Sequence, residues 1–86
     1  MKVKVVISGR SYETAESVPE HLTLPDACSL GDALRSLAEF LPVGRTLPAS
    51  CLVAVSGTHL GTLGNHAPRE LRDGDELVVI APVAGG

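Results

Sequence analysis

Aromatic side chains are almost missing: the 86 residues include one Tyr, one Phe and no Trp. A surface that stacks nucleic-acid bases on aromatic rings is thereby excluded. Positive charge is also scarce, with seven Lys and Arg against ten Asp and Glu and a net charge of −3. Such a balance argues against a surface for a phosphate backbone or an anionic membrane. Long apolar runs are lacking as well. The longest, Leu77 to Ala84 with Pro82 inside it, is far too short to span a bilayer. After Met1–Lys4 only Val5–Ile7 precede Ser8, which is too little for a secretory signal, so a cytosolic (cytoplasmic) protein is expected. The length allows one domain, and a fold of this size buries only roughly 60% of its unfolded surface, leaving little room for a deep pocket.

Cysteine is limited to Cys28 and Cys51, with no Cys-x-x-Cys pair and no histidine at ligand spacing from either. A structural zinc site needs four ligands, usually with two in a close pair, so no metal or cofactor is expected. Both cysteines read as small buried hydrophobes, Cys51 opening an apolar strand and Cys28 preceding a helix, and as reduced thiols in the cytosol. His21, His59 and His66 sit in polar or turn-like stretches and read as surface or loop residues.

Lys2 to Ser8 alternates and is rich in valine, which predicts a first strand with Val3, Val5 and Ile7 inward. The polar Gly9–Pro19 stretch reads as a long hairpin connection to a second strand at His21–Leu24, which Pro25 stops. Ser29 stands three residues before Asp32, a helix-start pattern. Behind it Leu30, Ala33, Leu34, Leu37, Ala38 and Leu41 recur at helical spacing, and Pro42 and Gly44 end the segment. This helix should pack on the sheet through Leu34 and Leu37. Cys51–Ser56 predicts a third strand, His59–Leu60 a short edge strand, and Glu76–Ala81 a last strand after the Asp73-Gly74 turn. Gly61-Thr62-Leu63-Gly64 matches a nucleic-acid-clamping loop in spelling only; without flanking basic helices it reads as a plain turn.

The amphipathic helix must cover one sheet face, because its apolar stripe has no other surface to bury against. The first and last strands can then lie side by side in the middle, joined by a right-handed crossover. The expected architecture is α+β: a β-grasp fold, with a mixed sheet of four to five strands under one main helix. It spans residues 1–82, with residues 83–86 as a flexible tail. Two strands raise a question. If Cys51, Val53, Val55, Leu77, Val79 and Ala81 face the helix, then Leu52, Ala54, Val78 and Ile80 form an apolar set on the other face. Four apolar side chains on adjacent exposed strands read as a partner-binding patch.

The segment Asp73-Gly74-Asp75-Glu76, the apolar strand after it, and Ala81-Pro82-Val83-Ala84-Gly85-Gly86 resemble the ending of the MoaD/ThiS family of ubiquitin-like sulfur carriers. The Met1–Ile7 strand, the Ser29–Leu41 helix and Leu52-Val53-Ala54-Val55-Ser56-Gly57 fit the same pattern in order, and the Pro-Val-Ala-Gly-Gly ending is most similar to the MoaD branch, the small subunits of molybdopterin synthase. Ala81 stands where the group often has a second proline, and Ser56 where asparagine is common. The resemblance implies a carrier rather than an enzyme, with no catalytic side chain of its own. Gly86 would be adenylated by an ATP-using, E1-like enzyme and converted to a thiocarboxylate, and Gly85 would let the tail thread a narrow channel. Pro82, Val83 and Ala84 would join Leu52, Ala54, Val78 and Ile80 in contacting partners, namely the activating enzyme and the large subunit of molybdopterin synthase. Carriage of sulfur for thiamin thiazole or cysteine synthesis, a ubiquitin-like modifier joined through Gly86, and an unactivated binding module are the alternatives.

Overall fold

Alternation makes the first strand. In β1 (Lys2–Ser8) Val3 and Val5 are buried and Ile7 packs against the core from its rim, while Lys2 and Lys4 point to water. A computed structural model describes residues 1–8, 18–41 and 47–81. Residues 9–17 of the expected Gly9–Pro19 connection lie outside the described residues. β2 (His21–Thr23) runs antiparallel to β1 with Val3 opposite Leu22, and the Leu24 N–H extends the pairing to the Met1 carbonyl at 2.9 Å.

The single helix of the described residues, α1 (Leu30–Ala38), starts where the sequence predicts. Ser29 is extended (φ −77°, ψ 157°), and its hydroxyl accepts the Asp32 N–H at 3.1 Å, satisfying one of the first-turn donors. Asp32 sits in the first turn, where its charge suits the helix dipole, and pairs with Arg35. The far end corrects the sequence reading. Regular α-helix stops at Ala38, and Glu39, Phe40 and Leu41 each donate to the carbonyl three residues back, a tighter closing turn. The buried stripe is Leu30, Ala33 and Leu37, whereas Leu34 is only half-buried at the edge of the core. Leu37, rather than Leu34, is therefore the central contact of the helix with the sheet.

β3 (Leu52–Val55), β4 (Thr58–Thr62) and β5 (Glu76–Ile80) complete a five-stranded sheet in the order β2-β1-β5-β3-β4. β1 and β5 are parallel neighbours, and every other pairing is antiparallel. This mixed sheet with one helix is the expected β-grasp arrangement. Ser56 and Gly57, at φ 48° and 85°, form the β3–β4 turn, which needs positive φ at both central residues. β4 is longer than the predicted edge strand. A bulge opposite Val53 and Ala54 lets His59 pair with Ala54 while Leu60 packs against the core. Gly61 has φ 128°, and a Cβ there would meet the Asn65 carbonyl oxygen at 2.5 Å, so only glycine fits. The residues after it form a plain turn: Thr62 and Asn65 exchange backbone hydrogen bonds of 3.0 and 3.2 Å. Among the described residues no helix is long and apolar enough to cross a membrane.

Candidate functional site

The two faces of the sheet are distinguished by burial along β3 and β5. Cys51, Val53, Val55, Leu77, Val79 and Ala81 are all buried, together with Leu30, Ala33 and Leu37 of α1. Leu52 and Ile80 are 40% and 39% exposed, and Ala54 and Val78 are half-buried. The helix-facing set is therefore the one that the partner-patch expectation requires, a choice of side that alternation alone leaves open. In the β3–β5 register Leu52 lies opposite Ile80 and Ala54 opposite Val78, so the four outer residues form two adjacent pairs. Opposed residues share a face, and their side chains touch or nearly touch.

The sequence reading missed one member of this patch. Val6 of β1 lies opposite Val78, on the outer face and half-buried. The signal was present in the unbroken Val5-Val6-Ile7 run, but only the parallel β1–β5 pairing shows what Val6 adjoins. Polar groups surround the apolar centre. Lys4 lies opposite Glu76 and pairs with it at 3.8 Å, Ser8 is opposite Ile80, Thr62 opposite Leu52, and His59 opposite Ala54. An apolar centre inside a polar rim is the usual anatomy of a protein-docking surface.

Ala81 follows β5 on the inner face and is 5% exposed. Its N–H donates to the Ser8 carbonyl at 2.9 Å, one residue beyond the last residue of the strand. β5 is thus a central strand, and Ala81 follows it at the end of the sheet where Leu52 and Ile80 are exposed. Of the residues singled out from the sequence, Leu52, Ala54, Val78 and Ile80 come together, whereas Pro82, Val83, Ala84, Gly85 and Gly86 lie outside the described residues.

The described side chains offer no reactive constellation. Cys28 and Cys51 are buried, no disulfide joins them, and burial raises both thiol pKa values; the Asp32 charge adds to the rise at Cys28. A buried, protonated thiol is a poor nucleophile. His21 and His59 are exposed on β2 and β4, and His66 is in a loop. No three His, Cys, Asp or Glu side chains gather among the described residues. An apolar cleft of about 300 Å³ beside α1, lined by Leu34, Leu41, Leu47 and Leu63 among others, holds no titratable side chain. Among the described residues the one carboxylate held clearly below its usual range is Asp75, chiefly by the Ser56 hydroxyl, which donates to it at 2.7 Å. The Arg72 N–H, at 2.8 Å, and the Arg69 and Arg72 charges add to the effect, against partial burial. Asp75 ties the β3–β4 turn to the start of β5, which is an architectural task.

Comparison with known proteins agrees with this geometry. A family model, that of the ThiS family, matches residues 5–86. An uncharacterized protein of Archaeoglobus fulgidus is 35% identical over 91 residues, with all of both chains covered. No solved structure matches.

Proposed function

This chain belongs to the ThiS family of ubiquitin-like sulfur carriers, and from that premise we propose that Gly86 is the sulfur-bearing residue and that the fold is its handle. The observation that carries the reading is the family match through Gly86 on a chain whose last strand is central in the sheet and whose outer face is apolar beside the tail root.

An α-carboxylate has an ordinary pKa of about 3.3–3.7 and is ionised at neutral pH, where it is inert as an acyl donor because oxide is a hopeless leaving group. Adenylation changes that. A Gly86 carboxylate oxygen attacks the α-phosphorus of ATP; the new O–P bond forms as the bond to pyrophosphate breaks. A sulfide-level sulfur nucleophile then adds to the Gly86 carbonyl carbon and AMP leaves, giving a terminal thiocarboxylate. Gly85 and Gly86 lack Cβ atoms, so the tail can enter a narrow active site and take any φ needed there. The catalytic groups for these steps belong to the partner enzymes. This chain supplies the docking patch of Val6, Leu52, Ala54, Val78 and Ile80, with Pro82, Val83 and Ala84 contacting the channel.

The acceptor reading is the pterin precursor of molybdopterin, with this chain as the small subunit beside a larger synthase subunit. The Pro82-Val83-Ala84-Gly85-Gly86 ending favours it over thiazole or cysteine synthesis. The test is intact mass after incubation with ATP, a sulfide source and the E1-like enzyme. Replacement of one oxygen by sulfur, about 16 Da heavier, is expected on the full chain and not on one lacking Gly86. Deletion moves the carboxylate back about 3.3–3.6 Å, whereas roughly 1 Å of misplacement can cost 100-fold in rate. Equal sulfur loading of the truncated chain would refute the role of Gly86.

A further inference from the structure

Asp73-Gly74 is the one Asp-Gly dipeptide of the chain, and the carrier reading gives it no chemical role. It fills the two middle positions of the turn before β5, where the Asp75 N–H donates to the Arg72 carbonyl at 3.0 Å and Gly74 has φ 86°. This dipeptide is chemically prone to rearrange its own backbone. Gly74 has no Cβ to shield its nitrogen, and the Asp73 side chain has the length that closes a succinimide ring on that nitrogen.

In the folded chain one residue of β1 holds both reactants. The Lys2 N–H donates to Asp73 Oδ1 at 2.7 Å, and the Lys2 carbonyl accepts the Gly74 N–H at 2.9 Å. The first bond fixes the carboxyl that must be attacked. The second retains the proton that the attacking nitrogen must lose.

We propose that Asp73-Gly74 is a self-modification site held shut by Lys2: when this clasp between β1 and the turn opens, Asp73 converts to isoaspartate. The inference is independent of the carrier reading, and its one co-reactant is water. The Gly74 nitrogen attacks Cγ of the protonated Asp73 carboxyl. The N–Cγ bond forms, the Cγ–OH bond breaks, and the hydroxyl leaves as water with the amide proton. Water then adds to the former main-chain carbonyl carbon of Asp73, and its bond to the Gly74 nitrogen breaks. A free α-carboxylate remains, and the main chain now runs through Cγ at unchanged mass. With one more methylene in the main chain and one fewer in the side chain, the two Lys2 bonds cannot both re-form in this register.

The test compares the full folded chain with a synthetic peptide of residues 71–76 in the same warm, mildly acidic buffer. A Glu-specific protease releases residues 71–76 from the chain at Glu70 and Glu76, and electron-transfer fragmentation distinguishes isoaspartate from aspartate. Isoaspartate should form at least ~10-fold more slowly in the folded chain than in the peptide, since two hydrogen bonds must first break. That slowing should match, within about tenfold, the factor by which folding slows hydrogen exchange at the Gly74 N–H, because one opening releases both. Lys2→Pro removes the N–H that holds Asp73 and keeps the carbonyl, and should speed isomerisation of the folded chain about fivefold or more. Leu34→Ala, at the edge of the core under the helix, should leave the rate as in the unsubstituted chain. The proposal is overturned if the folded chain isomerises as fast as the peptide, or if its slowing departs from Gly74 exchange by more than about tenfold in either direction. It is equally overturned if folded Lys2→Pro reacts no faster than the unsubstituted chain, or if Leu34→Ala speeds the reaction as much. Should Lys2→Pro not fold by circular dichroism, the comparison with Gly74 exchange decides the matter alone.

Discussion

Val79 and Ile80 are neighbours on β5 that face opposite sides of the sheet, and replacing each with glutamate separates folding from docking. Val79 is fully buried, with apolar side chains around it. An unpaired carboxylate there carries an effective desolvation penalty of several kcal/mol. At roughly 0.05–0.15 kcal/mol per residue, an 86-residue domain has about 4–13 kcal/mol in total, so Val79→Glu should remove most or all of its stability. Ile80 is 39% exposed and can point a carboxylate into water. Full burial of an isoleucine stabilises by about 1.5–3 kcal/mol, so losing the buried part of Ile80 should cost about 1–2 kcal/mol. At about 4–8 °C per kcal/mol for a domain of this size, the melting temperature should fall by roughly 4–16 °C with the cooperative transition intact. The same Ile80→Glu protein should bind the E1-like enzyme more weakly by at least ~2 kcal/mol, about 30-fold, because docking would bury an unpaired charge within the patch, beside Leu52. Thermal unfolding by circular dichroism and titration calorimetry read the two effects. A well-folded Val79→Glu, or an unfolded Ile80→Glu, would refute the assignment of the faces. A folded Ile80→Glu that binds with wild-type affinity would refute the docking patch.

On the helix, Leu37→Ala should cost about 2–5 kcal/mol in urea unfolding, whereas the half-buried Leu34→Ala should cost clearly less, about 1–2 kcal/mol; equal costs would show that the core contact is misplaced. Asp75 has a lowered folded-state pKa, so its contribution to stability is present above the unfolded value near about 3.9 and is lost as pH falls through the folded value. Ser56→Ala removes the largest cause of that lowering and leaves the Glu76 N–H, which bonds the same hydroxyl at 3.2 Å, without that partner. It should cost about 1–3 kcal/mol at neutral pH, and the gap to wild type should narrow in acid as Asp75 protonates; a gap independent of pH would exclude the Ser56–Asp75 linkage.

Some differences between sequence reading and structure have local causes. The helix pattern runs on to Leu41, yet regular α-helix stops at Ala38, because hydrophobic spacing does not distinguish the last α-helical turn from a tighter one. Ser56 is unremarkable as a residue, but its φ of 48° places it in a conformation better suited to asparagine, and its hydroxyl bridges Asp75 and the Glu76 N–H. That task involves residues nineteen and twenty positions away in sequence, where no local pattern reaches. The bulge in β4 likewise depends on its pairing with β3, since a strand read alone has no partner against which to count an extra residue.

The sequence by itself determined the elements and their order, because period-2 and helical spacing are set by burial of one face, and turn glycines and prolines act within a few residues. It also determined which residues of β3 and β5 share a side, since alternation is a property of the strand alone. Which side meets the helix was an expectation that tertiary structure decided through packing: α1 buries Leu30, Ala33 and Leu37 against the sheet, and the set containing Leu52 and Ile80 remains in contact with water. Only the fold could place Val6 beside Val78, and Ser8 where its carbonyl holds Ala81. These are register contacts between the first and last strands, about seventy residues apart, and a parallel pairing over that separation is settled by the whole core at once.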